Sequence, residues 1–284
     1  MRGLLVIAAG AALVGGLLGT SALAGGRDHS EPVPGVTQAD LRGVNFVESC
    51  RFSHRAPDDP IVFPGKPGAS HEHTFVGNRS TDAFSTYGSL RSSGTTCRRP
   101  EDTAAYWVPA LYQGTQLVLP ESATIYYRRG TIAPVRAFPA NFRMIAGDAA
   151  ATSPQGLRVT FWSCGALSGV APSSTVPACP ATRGSFLRLH VRFPSCWDGR
   201  RLDSADHRSH LAYAMRRRCP STHPIPVPAI TQIYRYPTRG GEGFALASGG
   251  QFSAHADFLN AWKQDTLQTL VDGCLNALVH CGRN

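Results

Sequence analysis

The chain reads as a mainly β, antiparallel, sandwich-like and loop-rich domain, closed by one C-terminal helix and held by disulfides. Three observations predict this. Gly (29) and Pro (21) punctuate the 284 residues too often for long helices. The apolar segments between them are short and alternate with period two, as half-buried strands do. Eight cysteines, an even number, suit a chain stapled in an oxidising compartment.

The first residues are read apart from the fold. Arg2, an apolar run from Leu4 to Leu18 and the small-residue pattern Ala22-Leu23-Ala24 have the layout of a secretory signal, with cleavage expected after Ala24. The run of about fifteen apolar residues is shorter than the roughly 20 that a spanning helix needs. A secreted product, extracellular or wall-associated, is expected, with no transmembrane segment in the mature chain. Residues 25–40 are polar and contain proline, so they read as a disordered lead. A single domain is expected over 41–284.

Within that domain GVNFVESCRF predicts a strand ending at Cys50, followed by a Pro-rich loop. Residues 87–99 read as a loop to Cys97. Ala105–Tyr112 and Ser122–Arg128 are β-branched and aromatic, and read as strands. Val135–Ile145 is apolar but broken by Pro139, so an edge segment is expected to send Phe138, Phe142 and Met144 into the core. Leu157–Cys164 alternates well and is expected as a central strand. Phe186–Phe193 and Ala229–Tyr236 continue the series, and Phe244–Ala247 follows a Gly-rich turn. Phe258, Leu259, Trp262, Leu267, Leu270, Val271, Leu275 and Leu278 recur at helical spacing, which predicts a helix over 258–278 with Asp257 as its N-cap. Sequential pairing is the simplest disulfide scheme: Cys50–Cys97, Cys164–Cys179, Cys196–Cys219 and Cys274–Cys281.

Net charge is +9, carried mostly by arginine in clusters such as Arg128-Arg129 and Arg216–Arg218. No regular aromatic interleaving and no reader motif accompany them, so no specific nucleic-acid partner is expected. A basic face suited to a polyanionic cell envelope is the simpler reading.

Chemistry concentrates in residues 193–224. His207, His210 and His223 lie there with Asp198, Asp203, Asp206, Cys196 and Cys219. Such groups are costly to bury unless paired, hydrogen-bonded or bound to metal. In DHRSH the two histidines are three apart and share a face only on a helical turn. His71 and His73 share a face if extended, and His255-x-Asp257 adds a third cluster. Imidazoles with an occasional carboxylate are ligands for zinc or copper. One divalent ion is therefore expected among His71, His73, His207, His210, His223 and His255, with His71, His73, His207 and His210 as its core. Glu72, Asp203 and Asp206 are the candidates for proton transfer. Each residue also has a plainer use: Asp203 and Asp206 as turn caps, Asp257 as a helix cap, His223 as a backbone hydrogen-bonder.

FPSCWDG at 193–199, DSADHRSH at 203–210 and THP at 222–224 resemble a family of secreted bacterial and fungal proteins known as a domain of unknown function. SHEH at 70–73, YWVP at 106–109, AFPANFRM at 137–144 and HADFLNAW at 255–262 extend the resemblance over roughly residues 43–275. Ala256 and Ala261 stand where the family pattern expects glycine. Fungal members often carry a WSC domain, a wall-associated module, so the resemblance implies export and polysaccharide surroundings and transfers no catalytic residue. Two functions are therefore carried forward: a metal-dependent hydrolase acting on extracellular or cell-wall polysaccharide, and a non-catalytic glycan-binding module using Trp107, Trp197 and Trp262 as stacking faces. A metal-sequestering protein is the third.

Overall fold

Sixteen strands, two short helices and one wide helical turn make up the computed structural model, which describes residues 35–282. The expected signal segment 1–24 and most of the expected lead lie outside the described residues. In chain order the strands are β1 (Asn45–Ala56), β2 (His73–Gly77), β3 (Ala105–Pro109), β4 (Leu111–Gln113), β5 (Gln116–Val118), β6 (Ser122–Arg128), β7 (Arg143–Gly147) and β8 (Thr160–Ser163). They continue as β9 (Arg188–Arg192), β10 (Cys196–Trp197), β11 (Leu211–Ala212), β12 (Ile225–Pro226), β13 (Ala229–Arg235), β14 (Phe244–Leu246), β15 (His255–Leu259) and β16 (His280–Gly282). Helix α1 spans Tyr87–Arg91, inside the stretch expected as loop, where Thr86 and Ser89 form a capping box.

Ten strands form one sheet in the order β7-β15-β3-β2-β1-β6-β13-β9-β8, with β16 pairing β1 in parallel. All other pairings are antiparallel. The sheet curls until its ends approach each other. Gly147, at the end of β7 with φ 86°, sits where a Cβ would lie 3.1 Å from Thr160 Cγ2 on β8 and 2.4 Å from the Ala254 carbonyl. Only glycine fits that approach. Inside the curl pack Phe46, Tyr106, Ile125, Tyr127, Phe138, Phe142, Met144, Trp162, Leu189, Tyr234, Phe258 and Trp262.

The two halves of the outer surface differ. On β6 burial alternates strictly, with even-numbered residues half-open. On β2, β3 and β15 every residue is buried. There the outer face is covered by the segment carrying Ile61 and by Leu90 of α1, which form a second core with Phe75, Trp107, Ile145 and Leu259.

The four disulfides follow the sequential scheme. Three expectations need correction. The expected helix over 258–278 begins only after β15: Phe258 and Leu259 are strand residues, and α2 (Gln264–Leu270) runs into a π-helical turn at Val271–Asn276. Asp257 lies inside β15, and Lys263 occupies the N-cap without a side-chain cap. The apolar run that continues the helical spacing backward from Trp262 belongs to β15, a strand buried on both faces and therefore apolar at most positions. Second, the Leu157–Cys164 segment is an edge strand, β8, although its Trp162 is bridged by Ser173 of the following loop. Third, Trp107, Trp197 and Trp262 are 0%, 6% and 0% exposed, so none offers a stacking face to a sugar.

Candidate metal centre

The covered outer face holds the chemistry. Side chains on a strand alternate, so His73, Phe75, His255 and Asp257 all project toward the same layer while Val76, Ala256 and Phe258 fill the curl. His71 immediately precedes β2. Its ring centroid lies 4.3 Å from that of His73 and 5.0 Å from that of His255, and the His73 and His255 centroids are 5.7 Å apart.

Hydrogen bonds fix how these rings are presented. His73 Nδ1 donates to the Asp58 carbonyl at 3.0 Å, and His255 Nδ1 donates to the Ser253 carbonyl at 2.9 Å. Each therefore keeps its proton on Nδ1 and a lone pair on Nε2, the tautomer that second-shell carbonyls impose on metal-binding histidines. Nε2 of His73 is buried without a hydrogen-bond partner, and so is Nε2 of His71. Burial holds His71 below its usual range. It lowers His73 much further, aided by repulsion from His71 and His255, and it pushes His255 down to about 3. At neutral pH all three are uncharged donors.

Two carboxylates complete the cluster. Asp257, 1% exposed, has no hydrogen bond to either oxygen, and its Oδ2 lies 4.0 Å from His255 Nε2. Burial raises its pKa well above the usual carboxylate range, nearby Asp59 adds to the rise, and Arg208 opposes it. Asp59, also buried, accepts the backbone N–H groups of Ile61 and Val62 through Oδ1, which folds the covering segment back over the sheet. Burial raises its pKa too, against those N–H groups and a weaker contribution from His207. Within each of the sets His71, His73, His255 and Asp59, His73, Asp257, one ligand atom per residue lies within 4.8 Å of the others. At zinc–nitrogen distances of about 2.0–2.1 Å, small side-chain rotations would close such a set on one ion. The grouping of Cys50, Cys97 and Asp102 offers no thiolate, because its cysteines form a disulfide.

The segment 193–224 is a rim, not the centre. His207 lies in the left-handed region at φ 56° and its Nδ1 pairs with Asp203 at 2.9 Å. His210 is fully buried between the Ser204 hydroxyl and the Arg143 carbonyl, with both ring nitrogens engaged. His223 bonds Thr222 and the Ser209 carbonyl. The structure brings none of the three into either set of converging ligand atoms. Asp206 accepts from Ser204 Oγ and from the backbone of Arg208 and Ser209, bonds that hold its pKa below the usual range and make it a turn former. Asp203 pairs with His207 and Arg143. Glu72, between the two histidines, faces away from them and bonds Arg55 and Tyr112. Reach comes instead from Arg208, whose guanidinium holds the Gly147 carbonyl beside His255.

Asp59 and Asp257 were not singled out as ligands from sequence. For Asp257 a signal existed: in AHADFL, His and Asp occupy alternate places in an apolar run, so period two puts both on one face. For Asp59 none did, since its position depends on how a Pro-rich loop folds back.

A family model described as Domain of unknown function (DUF1996) matches residues 59–262, from the first of these carboxylates through β15. No curated protein and no solved structure matches the chain.

Proposed function

Because the chain belongs to the family described as a domain of unknown function (DUF1996), the site itself must carry the reading, and we propose that it binds one divalent metal ion. His71, His73 and His255 are the nitrogen ligands through Nε2, and Asp257 is the carboxylate ligand. The observation that carries this is the convergence of uncharged imidazoles, with Nε2 of His71 and His73 unpartnered, beside a buried carboxylate with no hydrogen bond. An unpaired carboxylate buried this deeply costs several kcal/mol if ionised, and a cation removes that cost. Three imidazoles and a carboxylate suit zinc, and copper is the competing ion.

The use proposed for the ion is hydrolytic. A water added as fifth ligand beside the four protein donors would be the nucleophile, its pKa lowered by the ion. His71 is the half-exposed member of the set and marks the side open to solvent. Asp59, beside His73 and Asp257 in the second set, is placed to take the proton, a role that Asp206, Asp203 and Glu72 are bonded away from. An extracellular polysaccharide is the proposed substrate, by analogy with the wall-associated WSC module that fungal members of the family often carry; four disulfides support an exported chain. A second reading is favoured by the donor count. Five candidate donors, His71, His73, His255, Asp257 and Asp59, can fill a coordination shell without leaving an open position, and the ion is then stored or structural.

Metal content of untagged protein, dialysed against zinc or copper and then against buffer, tests the site. One equivalent per chain is expected, falling to background in His73→Gln/His255→Gln. Absence of bound metal in the wild type would sink the reading. Release of reducing ends from a polysaccharide panel separates hydrolysis from storage.

A further inference from the structure

The outer face of β6 and β9 is open where that of β2, β3 and β15 is covered, and β13 and the more buried β8 continue the same strip. Across it, Tyr126 pairs with Thr231 and Thr231 with Arg192; the next row runs Thr124, Ile233, His190 and Phe161. Two cavities lie along this strip. One of about 490 Å³ is bounded by Arg42, Arg128, Arg158, Arg192 and Arg217, and one of about 540 Å³ by Tyr126, Phe161, Arg188 and His190.

No Asp or Glu lines either cavity. Among the described residues, none of these six arginines forms an ion pair with a carboxylate, whereas Arg55, Arg99, Arg143, Arg201 and Arg235 all do. The guanidinium groups are nevertheless held in place. Arg128 lies 4.2 Å over the Tyr126 ring and donates to Thr231 Oγ1 at 2.9 Å, and Arg192 lies 4.7 Å over the Phe161 ring. Held over these rings, the guanidinium groups keep the planar fork of donors that matches carboxylate, sulfate or phosphate. Neighbouring Arg129 shows the contrast: it is buried and committed to the carbonyls of Thr131, Ile132 and Asn276. Like charges gathered without counter-charge repel one another, and a polyanion relieves that repulsion along the whole strip.

We propose that this strip is a binding groove for an anionic glycan, whose carboxylate or sulfate groups are taken by Arg128 and Arg192 and by the rim arginines Arg42, Arg158 and Arg217. Tyr213, 44% exposed and fixed by its hydroxyl donating to the Arg192 carbonyl, gives one ring face for a sugar. A nucleic-acid strand would need a succession of free aromatic faces for its bases, and here Tyr126 and Phe161 are already covered by guanidinium groups. The groove lies on different strands from the metal ligands, so it stands whether or not the ion binds. His190 reports on it: burial, then repulsion from Arg192, Arg188 and Arg128, lowers its pKa to about 3.

Calorimetric titration of the full chain with oligogalacturonate and with a heparin-derived sulfated oligosaccharide tests this. A neutral β-glucan oligosaccharide and a single-stranded oligonucleotide of matched charge are the controls. Either acidic glycan is expected to bind at low salt, to weaken as salt rises, and to lose at least tenfold in affinity in Arg128→Gln/Arg192→Gln. The preference between uronate and sulfate identifies which acid is read. Arg42→Gln/Arg158→Gln, at two exposed positions, guards against misfolding of the first variant and should lower affinity several-fold. At saturating glycan the NMR titration of His190 should move to higher pH. Equal binding of the neutral glycan, tighter binding of the oligonucleotide, unchanged affinity in both variants, or an unmoved His190 would each overturn the groove.

Discussion

His255 and Asp257 stand two residues apart on one face of β15, with Nε2 of the histidine 4.0 Å from Oδ2 of an aspartate that has no hydrogen bond to either oxygen. The histidine donates its other nitrogen to the Ser253 carbonyl, so it has no proton to offer the carboxylate. With Asp257 ionised, two acceptors therefore face each other in a water-poor layer. A cation between them resolves that conflict.

Asp257→Asn replaces the buried acid with a neutral group of the same shape. In the presence of EDTA the variant should melt no lower than the wild type, because an unpaired buried acid is lost. Zinc at a hundredfold excess over its dissociation constant should stabilise the wild type by about 2.7 kcal/mol and the variant much less. A thermal shift with zinc that is identical in both proteins removes Asp257 as a ligand.

His190 predicts an acid limb in stability. It is neutral in the fold, with its pKa lowered to about 3 from 6.5, stacks on Phe161 at 4.2 Å and bonds Ser163 Oγ. Between those two values the unfolded chain binds a proton that the folded chain does not, so stability falls as pH drops from 6.5 toward 3. Denaturant unfolding in EDTA should show a shallower acid loss for His190→Gln than for the wild type. Parallel pH profiles would mean that the ring titrates freely in the fold.

Tyr127→Phe tests the polar knot inside the curl. The Tyr127 hydroxyl accepts the Trp262 indole N–H at 3.0 Å and shares a 2.6 Å hydrogen bond with Tyr106, which donates to Asp102. Removing it strands a buried indole N–H, a cost of about 1–3 kcal/mol readable as a lower denaturant midpoint. A change of under a few tenths would show that the knot contributes little.

Cys164–Cys179 closes a 15-residue separation beside β8. Its removal in Cys164→Ser/Cys179→Ser should cost about 3 kcal/mol by loop entropy and expose Trp162 by freeing the loop that bridges it. Differential scanning calorimetry and tryptophan quenching read the two effects. Full retention of both melting temperature and quencher protection would show that the loop is held by its other bonds.

Much was legible before any coordinates. Ser122–Arg128 is a strand in the fold as in the pattern, because its outer face is open and alternation survives; Ala229–Arg235 pairs with it, its alternation broken only where Thr231 is buried. The disulfides join cysteines near in sequence, so the simplest scheme is the real one. His71 and His73 were paired by period two alone. The covered half of the sheet was harder: where both faces are buried, HADFL is apolar at most positions and merges with the helix that follows, which is why Asp257 read as a cap. The dense His/Asp stretch at 203–210 contributes no residue to the converging sets. Its groups satisfy one another locally, His207 with Asp203 and His210 with Ser204, so density there marks a rigid loop.

By itself, then, the chain's order of residues determined the β-rich class and the strands whose alternation reaches solvent, since each of these depends on neighbours a few residues apart; for the cysteines it offered a simplest pairing, which the fold adopts. Only the tertiary structure decided that His71 and His73 meet His255 and Asp257 from nearly two hundred residues away, that Asp59 folds over them, and that the arginines of β6 and β9 line one open face. Those meetings are set by strand order in a curled sheet, and strand order is fixed by long-range pairing energies that no local pattern records.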